Sequence, residues 1–109
     1  MITETNKIDF VGIDNDDSTK LVVGLTDHLP WNKKNEYEHL MLLQEKINSY
    51  ISYIQNAQYK EIFKNEINGF CINIFFANTP TKNCISFISS ANEGLSIMNI
   101  KITYEIVEN

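Results

Sequence analysis

Four short segments of the chain have the hydrophobic pattern of β-strands. Residues 7–13 and 20–26 are rich in β-branched and apolar residues, and the polar residues 14–19 separate them, which predicts a β-hairpin. Residues 69–77 form a third strand. Its core face is expected to carry Phe70, Ile72, Ile74 and Phe76. In residues 100–106 apolar and polar side chains alternate, which predicts a last, half-exposed strand.

A longer segment, residues 35–55, has the spacing of an amphipathic helix. Its apolar stripe comprises Tyr37, Leu40, Leu43, Ile47, Tyr50, Ile51 and Ile54. Asn35 followed by Glu38 fits a start of the capping-box type, and Asn32 is the alternative N-cap. Residues 57–63 are expected to continue as a short second helix.

A third helix is expected to begin at Pro80. Its apolar stripe comprises Cys84, Phe87, Ile88, Ala91, Leu95 and Met98. Gly94 lies within this pattern and is expected to be a weak point or an early end, because glycine has a low helix propensity.

The order of the main elements is ββαβαβ, which predicts an α+β fold. We expect a two-layer sandwich, with a four-stranded sheet and helices on one of its faces. The second face is expected to carry Val11, Ile13, Val22, Cys71 and Phe75, which is more apolar than solvent alone requires. Self-association or partner docking on that face follows as a prediction. Residues 1–109 are expected to form a single domain, with residues 1–6 as a loose N-terminal tail.

The amino-acid composition disfavours several classes of function. The chain has 109 residues, and 14 acidic against 9 basic residues give a formal charge of −5. All basic residues are lysines and they are scattered, which disfavours binding to nucleic acid. No apolar run approaches the roughly 18 residues of a membrane span, and the first residues do not resemble a signal peptide. We therefore expect a cytoplasmic protein without a membrane role, whose acidic excess suits a basic protein partner.

Candidate chemistry concentrates where the second strand ends and the long helix begins. Asp27, His28, Trp31, Glu38 and His39 lie close together along the chain and could converge in space. Carboxylate and imidazole groups bind metals and perform acid–base catalysis, but adjacent residues of a helix point about 100° apart, which is poor geometry for chelation. A structural role at the helix start is the alternative.

The other polar and sulfur-containing residues do not indicate a catalytic site. Gln44 and Asn48 are four residues apart and could form a polar patch beside the apolar stripe. Cys71 and Cys84 are expected to be buried free thiols in a reducing compartment. No phosphate-binding loop, nucleophile elbow or His-Glu-x-x-His motif is present, and we predict neither cofactor nor metal.

The chain resembles a family of short, uncharacterised bacterial proteins that share a domain of unknown function. The resemblance begins with Asp27-His28 and Trp31 and continues through residues 39–54, and the first strand and Pro80 are also similar. The matching positions are Trp31, His39, Leu43, Gln44, Lys46, Asn48 and Tyr50. The resemblance implies that any shared role involves these positions, and it supplies no catalytic residues.

The sequence as a whole favours a non-enzymatic protein–protein interaction module. It would bind a protein partner or a second copy through the exposed sheet face or the surface around Trp31. The candidate partner-binding residues are Trp31, His39, Gln44, Asn48 and Phe75. An immunity-like protein that neutralises a basic toxin is the sharpest version of this hypothesis. The alternative is a small enzyme or metal-binding protein that uses His28 and His39.

Overall fold

The computed structural model describes residues 1–107 and confirms the predicted order of elements. The strands are β1 (Phe10–Ile13), β2 (Lys20–Asp27), β3 (Gly69–Phe76) and β4 (Ile100–Ile106), and the helices are α1 (Glu36–Gln55) and α2 (Lys82–Leu95). Two short 3-10 turns, Gln58–Glu61 and Ser96–Met98, follow the helices. Neither helix is sufficiently long and apolar to cross a membrane within the described residues.

The four strands form one mixed sheet in the order β1-β2-β3-β4. β1 and β2 pair antiparallel as the predicted hairpin, whereas β2, β3 and β4 are parallel to one another. α1 connects β2 to β3, and α2 connects β3 to β4. Both connections therefore move to the next strand in the same direction across the sheet. Because such crossovers are right-handed, both helices lie on the same face, as the sequence predicted.

The core lies between this face and the helices. Its sheet side is built from rows of residues in register: Leu21, Phe70 and Ile100, then Val23, Ile72 and Ile102, then Leu25 and Ile74. Leu43 and Ile47 of α1 and Cys84 and Ile88 of α2 belong to the same buried cluster. The alternation in β3 therefore identified the core face correctly.

The helix ends differ in detail from their predictions. Asn35 occupies the N-cap position of α1, but its side chain makes no capping hydrogen bond. The Asn32 side chain instead accepts a hydrogen bond from the Asn35 amide, 3.0 Å away. Thr81 caps α2 by accepting from the Cys84 amide. The α-helix ends at Leu95, one residue after Gly94, and Ser96–Met98 continues as a 3-10 turn, which agrees with the expected early end.

Two sequence-based predictions were wrong. Val11 and Ile13 do not lie on the second face, because they pair with Val23 and Leu21 and directly opposed residues share a face. They pack against the core instead. The N-terminal segment is not a loose tail, because Ile2 is completely buried in the core.

Candidate functional site

The sheet surface opposite the helices is the most extensive candidate site, and we call it the open face. The register places on it Phe10, Gly12, Lys20, Val22, Gly24, Thr26, Cys71, Asn73, Phe75, Lys101, Thr103 and Glu105. No described segment covers these residues as α1 and α2 cover the opposite face. Both charged residues of β4 on this surface, Lys101 and Glu105, are exposed.

Two aromatic rings form the apolar part of the open face. The ring centroids of Phe10 and Phe75 are 5.4 Å apart, with planes inclined by 48°. The Phe10 ring lies across Gly24, where an added Cβ would overlap it. Glycine at this position therefore permits the aromatic contact, although 47% of Phe10 remains exposed. An exposed aromatic ring held in place on a sheet is suited to contact with a protein surface.

A chain of side-chain contacts orders the other half of the open face. The Cys71 Sγ and Thr103 Oγ1 atoms are 3.2 Å apart, and Thr103 donates to Asn73 Oδ1 at 2.8 Å. Asn73 in turn donates to Glu105 at 3.1 Å. These contacts fix the Glu105 carboxylate and keep Cys71 low in the surface, where it is 7% exposed.

A second candidate site lies where β2 ends and α1 begins. Asp27 and His39 are both buried, and Asp27 Oδ2 is 2.6 Å from His39 Nε2. Trp31 stacks on the His39 ring with a centroid distance of 3.5 Å and also contacts the edge of Phe76. Three members of the predicted constellation therefore converge.

The remaining members, His28 and Glu38, are exposed and make no hydrogen bond to His39. Within residues 1–107, no group of three His, Cys, Asp or Glu side chains is arranged to hold a metal ion.

Both ring nitrogens of His39 are already engaged. Nδ1 lies 3.2 Å from the Pro30 carbonyl oxygen, while Nε2 contacts Asp27, which also accepts from the Leu29 amide. The ring is only 3% exposed beneath Trp31, although a cavity of about 290 Å³ lies beside it. This arrangement links the segment between β2 and α1 to the first turn of α1. Trp31 Nε1 has no partner among the described residues.

A buried lysine organises the N-terminal segment, a role that the sequence patterns did not predict. The Lys46 ammonium donates to the carbonyl oxygens of Met1, Glu4 and Lys7 at 2.7 to 2.9 Å and to Asp9 Oδ1 at 2.9 Å. Lys46 has no exposed surface. Its position between Leu43 and Tyr50 on the apolar stripe was the available signal, because a lysine there must bury its charge or break the stripe.

Asp9 connects this cluster to the sheet. Its Oδ2 accepts hydrogen bonds from the Thr26 amide and hydroxyl, and its own amide donates to Tyr50. Burial by itself would raise the pKa of the Asp9 carboxyl. The hydrogen bonds from the Met1 ammonium, Thr26 and Lys46 outweigh burial and lower that pKa to about 2.

Gln44 and Asn48 come together in a groove between the two helices. Both are exposed, and with Phe87 and Ala91 of α2 they line a cavity of about 230 Å³. This groove and the open face are on opposite sides of the sheet. The five predicted partner-binding residues thus occupy three separate places: Trp31 with His39, Gln44 with Asn48, and Phe75.

The cysteines are free and buried, as predicted. Burial raises the pKa of the Cys84 thiol to about 12, and the negative charges of Asp27 and Glu36 contribute to the increase. Cys84 is consequently a thiol rather than a thiolate at neutral pH, which makes it a poor nucleophile.

A wide cavity of about 640 Å³ opens at the ends of the strands where β2, β3 and β4 begin. Lys20, Phe70, Ile100 and Lys101 are among its lining residues. Within the described part of the chain, no buried side-chain nitrogen or oxygen points into it without a partner. The cavity therefore lacks the convergent, desolvated polar groups of a built ligand site.

Of the comparisons with known proteins, only the one with sequence models of protein families gave a match. The sequence model of a protein family, described as a family of unknown function (DUF6572), matches residues 1–108. No curated protein matches the chain, and no solved structure matches its fold.

Proposed function

We propose that this chain, which belongs to the family of unknown function DUF6572, is a protein-interaction module that docks a protein on its open face. In this proposal it is a cytoplasmic, non-enzymatic protein, and Phe75 and Phe10 provide the central contact.

The observation that carries the proposal is a parallel sheet with one bare face. β2, β3 and β4 are parallel, and the helices cover only one side of them. Parallel strands occur almost entirely in sheets that are covered on both faces. A docked protein would supply the missing cover.

The chemistry of the open face supports protein docking over a solvated role. Phe10 and Phe75 provide aromatic area at one side, and the ordered polar contacts from Cys71 to Glu105 provide hydrogen-bonding groups at the other. Aromatic anchors beside fixed polar groups are typical of the centre of protein interfaces.

The acidic excess supports the immunity-like version of the proposal, in which the docked protein is basic. The formal charge is −5, and exposed carboxylates of Asp16 and Asp17 lie in the β1–β2 loop. Complementary charge accelerates encounter, so the association rate with such a partner should fall as salt concentration rises.

Site-specific photo-crosslinking tests the proposal. The photoreactive residue benzoylphenylalanine replaces Phe75 in one variant and Phe10 in a second, and each is irradiated inside the cells that naturally produce the protein. Ile97, which is 89% exposed beyond α2, is the matched control position. We expect covalent protein adducts from positions 75 and 10 but not from position 97. Folded variants that give no adduct at 75 or 10 would overturn the proposal.

A further inference from the structure

We propose that the protein docked on the open face is a second copy of this chain, related by a two-fold axis that runs across the strands. This inference rests on the proposed function and replaces the basic partner of its immunity-like version with a second copy of this acidic chain. In the resulting dimer each strand lies over its own counterpart, in the opposite direction.

The register of the open face makes it self-complementary about such an axis. Gly24, Asn73 and Thr103 form a central row. The next row on one side is Thr26, Phe75 and Glu105, and on the other side it is Val22, Cys71 and Lys101. A two-fold axis along the central row exchanges the outer rows, so each pairs with the other in the second copy.

This exchange brings opposite charges together. Glu105 of one copy lies over Lys101 of the second, and the same pair recurs on the other side of the axis. Both side chains are exposed, and neither forms an ion pair within residues 1–107. An axis parallel to the strands would instead place β4 over β1 and would leave both charges unmatched.

The heights of the side chains above the sheet are also complementary about this axis. Phe75 is the raised apolar residue of its row, whereas Cys71, which it meets in the second copy, is low and 7% exposed. Phe10 lies beside the central row, opposite Gly24, and meets its own equivalent across the axis. Raised residues therefore face low or aromatic ones, as a close-packed isologous interface requires.

The size of the open face sets the expected affinity. Four strands about 4.8 Å apart and about seven residues long give a flat footprint of roughly 400 Å² per copy. A standard interface buries roughly 800 Å² of accessible surface per partner, so we expect a weak or transient dimer rather than an obligate one.

Charge reversal on the purified full chain tests the inference. Sedimentation equilibrium measures the dimer dissociation constant of the wild type, of Lys101→Glu, of Glu105→Lys and of the double variant. We expect each single reversal to weaken the dimer about tenfold or more, because it creates two like-charge contacts. The double variant should regain wild-type affinity, and an equimolar mixture of the two single variants should form a heterodimer.

Two charge reversals on the helices serve as controls. Lys82→Glu and Glu45→Lys make the same charge changes at exposed positions on the helices and should leave association unchanged. A wild type that stays monomeric into the millimolar range overturns the inference. Dimerisation that ignores the single reversals, or that the double variant does not restore, also overturns it. A crosslink from position 75 only to a different protein would overturn the second copy as partner and leave the proposed function standing.

Discussion

The Asp27 carboxylate lies 2.6 Å from the His39 imidazole and joins the last residue of β2 to the first turn of α1. Trp31 covers the pair, and the Pro30 carbonyl occupies the second ring nitrogen. Because the pair is buried and fully hydrogen-bonded, we assign it a structural role at the start of the helix layer.

Replacing His39 should therefore affect stability. His39→Phe keeps a ring against Trp31 but leaves the Asp27 carboxylate without its partner, which should cost roughly 3 kcal/mol. Adding Asp27→Asn should recover part of that loss, because an unpaired amide is cheaper to bury than an unpaired carboxylate. Urea unfolding of both variants measures this difference. A loss below about 1 kcal/mol for His39→Phe would contradict the structural assignment.

Lys46 should hold the N-terminal segment in place. Lys46→Met keeps most of the apolar stem but removes the ammonium that binds three backbone carbonyls and Asp9. We expect a loss of roughly 3 kcal/mol and faster amide hydrogen exchange in residues 1–9. Lys34→Met, at an exposed position, is the control. Unchanged exchange in the N-terminal segment would show that Lys46 does not anchor it.

Gly24 should be required for the position of Phe10. In Gly24→Ala the new Cβ displaces the Phe10 ring, while Gly12→Ala places its Cβ in open space. We expect the nuclear Overhauser contacts between Phe10 and Phe75 to disappear only in Gly24→Ala. Unfolding free energies should change by only about 1 kcal/mol in both, because the displaced ring is already half-exposed. Retained ring contacts in Gly24→Ala would contradict this reading.

The lowered pKa of Asp9 predicts that the fold loses stability at acid pH. The pKa of Asp9 is about 2 in the folded chain against an ordinary value of 3.8. A lowered carboxyl pKa stabilises the fold above the unfolded-state value, and that contribution disappears as pH falls from about 4 to about 2. The wild type should lose about 2 kcal/mol more over this interval than Asp9→Asn. Equal pH dependence of unfolding in the two proteins would contradict it.

Local patterns in the sequence were sufficient to predict most of the fold. The alternation in β3 and the apolar stripe of α1 each report which side of an element is buried, because the periods of strands and helices differ. The face of β1 was not predictable in this way. It depends on the pairing register of Val11 with Val23, which a six-residue polar loop leaves open.

The candidate sites also differ in whether they depend on residues close along the chain or on contacts between distant segments. Asp27, Trp31 and His39 are close along the chain, so their convergence could be anticipated. Lys46 is fixed by carbonyl groups of a segment about forty residues away, and its burial depends on how that segment folds back. Phe10 likewise gained its role only through contact with Gly24 and Phe75 across two strands.

In the cell, another protein surface should cover the open face. Hydroxyl-radical footprinting tests it by comparing the oxidation of Phe10 and Phe75 in dilute purified protein with their oxidation inside the cells that naturally produce it. Met41, which is 49% exposed on α1, serves as the internal reference. We expect both phenylalanines to be protected in cells, while Met41 is oxidised equally in both settings. Equal oxidation of Phe10 and Phe75 in cells and in dilute solution would contradict it.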